Sequence, residues 1–318
     1  MKAIVLGSTG MVGTCFLEKL QALGWEAVGV ARSTALGRHV VQRKYRFLTC
    51  DILDRNSLVD LFQREKPILI VHMAAQAFNG ASWDSEYYTH LANTEGTLNV
   101  LSAVKTASPE AKVLLACSSA EYGDVLPEDC PLKEDRLLKP ITPYGVTKVA
   151  TECMGYQFFK NYAMPIFLPR MFIHVGVGHP PATAIQNFAR QVALIKLGKM
   201  EAVIKTGRLD TARDFIDVRD GVDAMLMLLE KGPPGLPINI CNGVAVRIQD
   251  VLDILIDAAG VKVTVEQDPD LLRPSDEPLL LGDNSRLKAL GWTRKHSMED
   301  TLGEVLEDWL KRADRQNV

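Results

Sequence analysis

The stretch Tyr144-Gly-Val-Thr-Lys148 carries the plainest chemistry in this chain. A phenol and an ammonium four residues apart share one face of a helix. A cation held beside a phenol stabilises phenolate, so the hydroxyl can give or take a proton at a carbinol or carbonyl oxygen. Thr142 suits a helix N-cap, and Pro143 suits the first helical position, where a missing N–H costs nothing. The plain alternative is an ordinary helix start with an exposed lysine, and the rest of the chain must decide.

A second kind of chemistry sits at Gly7-Ser-Thr-Gly10-Met-Val-Gly13. The apolar run Ala3–Leu6 leads into it, and Val12, Phe16, Leu17 and Leu20 recur at helical spacing beyond it, so the glycines occupy a strand-to-helix turn. In that context Gly7 allows the tight turn, Gly10 lets a pyrophosphate approach the backbone, and Gly13 lets helix pack on strand. The helix N-terminus supplies free N–H groups for phosphate. At the end of the second strand, Glu26–Ala31, a carboxylate would mark NAD. Here Arg32-Ser33 stands instead, which favours a 2′-phosphate and NADP(H), with NAD(H) the alternative. Arg32 can equally be a solvated loop cation. Asp51, after a third strand, can accept from an adenine amino group or serve a turn.

These groups need a scaffold. Apolar strands at Ile68–Met73, Lys112–Cys117 and Pro165–Leu168 alternate with helices, one of them from Tyr87 to Val104. That alternation predicts an α/β fold with a doubly wound parallel sheet, both faces covered, and a smaller C-terminal α/β substrate lobe. Residues 1–165, with sheet contributions from about 211–242, are expected to form a Rossmann domain for NADP, and 166–318 mainly a substrate-binding lobe. Ala74-Ala75-Gln76 and Ser118-Ser119 then lie at strand ends, where such sheets bind ligands. His72, inside a strand, reads as a core histidine. Asp314–Val318 reads as a frayed tail.

Composition sets the limits. The 318 residues carry a net charge of −3 with both signs interspersed, which gives no basic footprint for nucleic acid. No stretch reaches the roughly 20 apolar residues of a membrane span, and the apolar run at Met1–Gly7 is too short for a signal peptide. Six scattered cysteines without a C-x-x-C pair predict reduced thiols and a soluble cytoplasmic protein. No residue spacing suggests a metal site.

Taken together, Gly7-x-x-Gly10-x-x-Gly13, Asp51-Ile52, His72-Met-Ala-Ala75, Asn93-Thr-Glu-Gly-Thr97, Ser118-Ser119, Tyr144-x-x-x-Lys148, Arg213-Asp-Phe-Ile-Asp-Val218, Arg273-Pro-Ser-Asp276 and Leu290-Gly-Trp292 resemble the extended short-chain dehydrogenase/reductases of the nucleotide-sugar epimerase/dehydratase group. Phe188-Ala-Arg-Gln191 and the run from Arg273 to Asn284 are most similar to its GDP-mannose branch, the GDP-4-keto-6-deoxy-mannose reductases and GDP-mannose 4,6-dehydratases. The resemblance implies Tyr144 as acid/base, Lys148 as its partner and holder of the nicotinamide ribose, and Ser118 as the catalytic hydroxyl. It implies cofactor contacts at Gly7, Thr9, Gly10, Met11, Val12, Gly13, Arg32, Ser33, Asp51, Ile52, Ala74, Ala75, Gln76, Asn93 and His174. Substrate contacts are implied at Ser119, Asn187, Arg213 and Arg273, the arginines on a diphosphate, with ion pairing to Asp214 or Asp276 as their structural alternative.

Three activities share that machinery. An NADPH-dependent reductase of a GDP-linked 4-keto-6-deoxy sugar is favoured over a dehydratase or epimerase that retains its NAD(P). A dehydratase of this branch carries Glu two residues after the catalytic hydroxyl, where this chain has Ala120, with Glu121 one place on. A non-catalytic NADP-binding sensor is the remote alternative. The group's usual Phe-Asn is Phe172-Ile173 here, so either Asn187 or the arginines supply the asparagine's phosphate contact or the nucleotide sugar is bound differently. Homodimers built on the helix starting at Tyr144 are a further expectation from the resemblance.

Overall fold

The computed structural model describes residues 1–33, 45–272 and 277–315. Its strands are β1 (Lys2–Leu6), β2 (Glu26–Ala31), β3 (Arg46–Thr49), β4 (Leu69–His72), β5 (Lys112–Leu115), β6 (Cys117–Ser118) and β7 (Ile166–Met171). They continue with β8 (Ile173–Val175), β9 (Val203–Thr206), β10 (Ala212–Asp217), β11 (Pro237–Ile240), β12 (Ala245–Arg247), β13 (Thr264–Gln267) and β14 (Leu279–Leu280). The helices are α1 (Met11–Ala22), α2 (Arg55–Glu65), α3 (Ala81–Asp84), α4 (Glu86–His90), α5 (Gly96–Ala107) and α6 (Pro143–Tyr162). After them come α7 (Ala184–Lys196), α8 (Val218–Lys231), α9 (Ile248–Ala259), α10 (Ser285–Ala289) and α11 (Met298–Arg315).

Among the described residues the main sheet runs β11-β7-β5-β4-β1-β2-β3, with β6 beside β7, and its pairings are parallel. Successive strand residues face opposite sides. Ile4 and Leu6 of β1 therefore join Leu58, Phe62, Val100 and Val104 of α2 and α5 in one core. Ala3 and Val5 join Phe16, Leu20, Met225 and Leu228 of α1 and α8 in the other. The chain winds outward through β2 and β3, then returns to the far side of β1 with β4. Strand order reverses there, and the crevice beyond the β1 and β4 carboxyl ends is where such sheets bind ligands.

A second sheet, β12-β10-β14 with β8 beside β10, belongs to the smaller lobe, whose core gathers Phe188 and Val192 of α7, Leu252 and Leu255 of α9, and Leu302 and Leu306 of α11. The sheets are joined closely. Phe172 alone separates β7 from β8, and α8 begins directly after β10.

Four placements differ from the sequence expectation. β7 extends the main sheet to Met171, past the boundary drawn at 165, and within 211–242 it is β11 that joins this sheet. β10 pairs instead with β8, β12 and β14, since a strand's local pattern does not say which sheet it joins. The helix expected from Tyr87 to Val104 is interrupted by a π-helical turn, Leu91–Glu95, between α4 and α5. The last helix also outruns the expected tail at Asp314, because Ala313 is buried and α11 stays helical to Arg315.

Asp214 stitches the smaller lobe to its loops. Fully buried, its carboxylate accepts the N–H groups of Asn242 at 2.8 Å, Gly243 at 2.9 Å and Gly282 at 3.3 Å. Burial outweighs these bonds and pushes its carboxyl from 3.8 up to about 6. The folded state therefore holds this proton where the unfolded chain has lost it, so the contribution to stability is full below about pH 4 and declines as pH rises through about 6. Denaturant unfolding of wild type against Asp214→Asn should show their stability difference shrinking over that window. A difference independent of pH would contradict the assignment.

Candidate active site

Thr142 is the N-cap of α6, its Oγ1 accepting the Gly145 N–H at 3.0 Å, and Pro143 takes the first helical position. Tyr144 and Lys148 follow one turn apart. The Lys148 ammonium is buried, donates to the Ala116 carbonyl at 2.6 Å, and lies 5.6 Å from the centre of the Tyr144 ring. Ala116 sits between β5 and β6, directly before Cys117-Ser118, so Lys148 ties α6 to the strand end that bears the serines. Gly145 allows the close approach, because a Cβ there would stand 2.5 Å from the Ala120 carbonyl oxygen.

Ser118 caps a short 3-10 turn, Ser119–Glu121, accepting the Ala120 N–H at 3.1 Å. Glu121 points into the interior. It is fully buried, and its Oε1 accepts the Ser118 N–H at 2.7 Å. Ser119 is buried beside it. Sequence spacing alone did not reveal this inward turn.

The glycine turn lies at the strand reversal. Gly7 has a φ of +81°, and a Cβ on it would stand 2.5 Å from the Ala74 N of the neighbouring strand end. A Cβ on Gly13 would stand 2.3 Å from the Gly7 carbonyl oxygen, which keeps α1 tight on β1. Gly10 differs: it is exposed, with only the Gly7 oxygen near its missing side chain, at 3.5 Å. No side chain caps α1 and no acidic residue stands in its first turn. The N–H groups at Met11 and Val12 thus begin a helix that suits a phosphate, beside partly buried Thr9.

Asn93 braces the other wall. Its Oδ1 accepts the Gln76 N–H at 2.7 Å, and its Nδ2 donates to the Gln76 carbonyl at 3.1 Å and to Thr147 Oγ1 at 3.0 Å. The strand end Ala74-Ala75-Gln76 and α6 are thereby held by one side chain, presented by the π-helical turn. His72 is buried against Thr97 at 3.2 Å and is held neutral, pushed down to about 3 by burial and by Lys148.

The remaining candidates are more dispersed. Arg32, at the end of β2 beside Ser33, donates to the Tyr88 hydroxyl and stacks 5.6 Å over that ring. Asp51 Oδ1 accepts the Leu53 N–H at 3.0 Å, the turn role, while Ile52 fills the space a Cβ on Gly96 would need. His174 turns its Nδ1 to the Phe172 carbonyl at 2.8 Å and packs its ring on Gly221, and burial lowers it to about 4. Arg213 donates to the carbonyls of Ala212 at 3.0 Å and Glu277 at 2.6 Å. Asn187 is part-exposed in the first turn of α7. Arg273 and Asp276 lie outside the described residues. Tyr88, Thr147, Glu152 and Arg170 went unnoticed in the sequence reading. Only Glu152 carried a signal, standing four residues beyond Lys148 on the same helix.

Comparison with known proteins agrees with this fold. The family model for GDP-mannose 4,6 dehydratase matches residues 4–305. The GDP-6-deoxy-D-mannose reductase of Pseudomonas aeruginosa is 32% identical over 263 residues, 82% of this chain and 86% of that one. A GDP-mannose 4,6-dehydratase of Vibrio cholerae is 26% identical over 99% of this chain and 95% of its own. The structure of RMD from Pseudomonas aeruginosa complexed with NADPH superposes with a TM-score of 0.86 at 29% identity, covering 98% of this chain and 99% of that one. By fold and by a match along nearly its whole length, the chain belongs to the GDP-mannose 4,6-dehydratase family.

Proposed function

We propose that this protein is an NADPH-dependent reductase of a nucleotide-linked 4-keto-6-deoxy sugar, with GDP sugars as the substrate class. The reductase of Pseudomonas aeruginosa and the NADPH complex of RMD support the substrate class and the cofactor. The residues fit that cofactor: the open backbone at Gly10 and the uncapped start of α1 suit its pyrophosphate, and Arg32 suits a 2′-phosphate. Bound NADPH supplies the hydride. Ser118 donates a hydrogen bond to the sugar's keto oxygen, and Tyr144 gives that oxygen its proton. Lys148 keeps a positive charge beside the phenol and reaches the ribose hydroxyls. Ser119, Asn187, Arg213 and Arg273 hold the nucleotide sugar.

The observation that carries reductase over dehydratase is the direction of Glu121. A 4,6-dehydratase needs a carboxylate to remove the C5 proton. Ala120 has none, and the Glu121 carboxyl is buried under the Ser118 N–H. Incubating the purified protein with GDP-4-keto-6-deoxymannose and NADPH should oxidise the nicotinamide stoichiometrically with sugar reduced. Tightly retained dinucleotide, with turnover needing none added, would overturn this in favour of an epimerase or dehydratase.

The same reading places the enzyme in the cytoplasm as a homodimer. All six cysteines are free, and among the described residues no helix is long and apolar enough to cross a membrane. Val146, Tyr156 and Tyr162 of α6 and Leu98 of α5 are exposed apolar side chains, whereas Phe158 is buried and Met154 and Phe159 pack against the core.

A further inference from the structure

Behind Ser118 lies a buried cluster whose charges do not balance if every group is ionised. Arg170, 3% exposed, donates from Nε and Nη2 to the two oxygens of Glu152, each at 2.7 Å. Its Nη1 serves the Tyr122 hydroxyl at 3.2 Å and the Glu134 carbonyl at 2.9 Å. Four of the five guanidinium N–H groups are thus engaged, and its charge is answered by Glu152. Glu121 is the second carboxyl in the cluster. Its Oε2 is buried without a hydrogen-bond partner as a carboxylate and stands 3.5 Å from Arg170 Nε.

Oxygens of Glu121 and Glu152 and the Cys117 sulfur lie within 4.8 Å of one another. Burial pushes the Cys117 thiol well up, so it adds no charge. Glu134 is engaged elsewhere, accepting the Asn239 N–H at 3.0 Å and pairing with Arg286 at 3.2 Å. A lone second anion in this enclosure is strongly disfavoured. Burial and the Glu152 carboxylate both drive the Glu121 carboxyl well above the usual range. Because Arg170 donates to both Glu152 oxygens, the trio is a place for a proton rather than a cation.

We propose that Glu121 is a positioning residue, a neutral carboxylic acid that donates its O–H to Glu152 while its other oxygen holds the Ser118 amide. One buried proton thereby fixes the backbone from which Ser118 reaches the substrate. The catalytic consequence rests on the reductase reading, whereas the proton itself does not.

Infrared spectra of the full-length protein at mildly alkaline pH, where Asp214 is ionised, should contain a protonated-carboxyl carbonyl band. Glu121→Gln should remove it. Glu152→Gln should remove it too, because Glu121 then ionises and takes over the ion pair with Arg170. Glu121→Leu, which keeps bulk but loses the acceptor, should lower kcat about 100-fold with the KM for NADPH unchanged. Glu121→Gln, which keeps that acceptor, should restore kcat to within about 3-fold of wild type. No such band in the wild type, or a band surviving Glu121→Gln, would overturn the proposal. So would a Gln variant as slow as the Leu variant, or a Leu variant in which KM and kcat fail together. If Glu121→Leu does not fold, the bands and the Gln variant decide. An inactive wild type would refute the reductase reading while leaving the infrared result to judge the proton.

Discussion

Tyr144→Phe is expected to lower kcat for reduction of a GDP-4-keto-6-deoxy sugar about 1,000-fold while leaving NADPH affinity within about 3-fold. The substitution removes one hydroxyl and nothing that builds the helix. Thr142 still caps α6, and Lys148 still donates to the Ala116 carbonyl, a bond that does not pass through the phenol. Loss of kcat without loss of cofactor therefore reports the proton donor alone. A general acid contributes about 100- to 10,000-fold, and no second hydroxyl on this helix face stands ready, since Thr147 donates to the Tyr144 carbonyl at 2.7 Å. Steady-state kinetics and NADPH fluorescence titration on the same preparation are the measurements. A kcat within tenfold of wild type would remove Tyr144 from the mechanism.

The second large effect concerns stability. Arg170→Met should destabilise the fold by about 3–5 kcal/mol at neutral pH, because it leaves Glu152 without its partner in a largely buried site. It also withdraws donors from the Tyr122 hydroxyl and the Glu134 carbonyl. The methionine fills much of the volume, so the loss is electrostatic more than steric. Adding Glu152→Gln to Arg170→Met should recover part of the loss, a coupling read from a double-mutant cycle in denaturant. Strict additivity of the two changes would mean that the pair contributes nothing as a pair.

Much of this site was legible in the sequence for a local reason. The cap at Thr142, the shared face of Tyr144 and Lys148, and the turn from Gly7 to Gly13 depend on residues within a few positions of each other. Helix geometry and backbone sterics then fix the outcome. What escaped depends on distant partners. Arg32, at the end of β2, meets Tyr88 of α4, and Arg213 meets Glu277 across the smaller sheet. Glu121 was legible only as standing one place beyond the dehydratase carboxylate, because the linear order Ser118-Ser-Ala-Glu121 does not say that a 3-10 turn will roll it inward. The π-helical turn at Asn93 was equally hidden, because Leu91–Glu95 sits inside a longer helical pattern that does not announce a change of register.

The junction at Phe172 has a mechanical consequence. The chain passes between the two sheets three times: through this one buried residue, from β10 through α8 to β11, and over the short stretch from Ile240 to Ala245. The first and last crossings are only a few residues long, and α8 is packed on the main sheet. Phe172 itself is wedged, its ring 6.3 Å from that of Tyr122 and pressed against Gly282. The two sheets are therefore coupled through short, packed junctions, and any change in the angle between them has to be absorbed by a few residues there. Ile173, next to the junction, is one of them, pairing with Phe215 of β10.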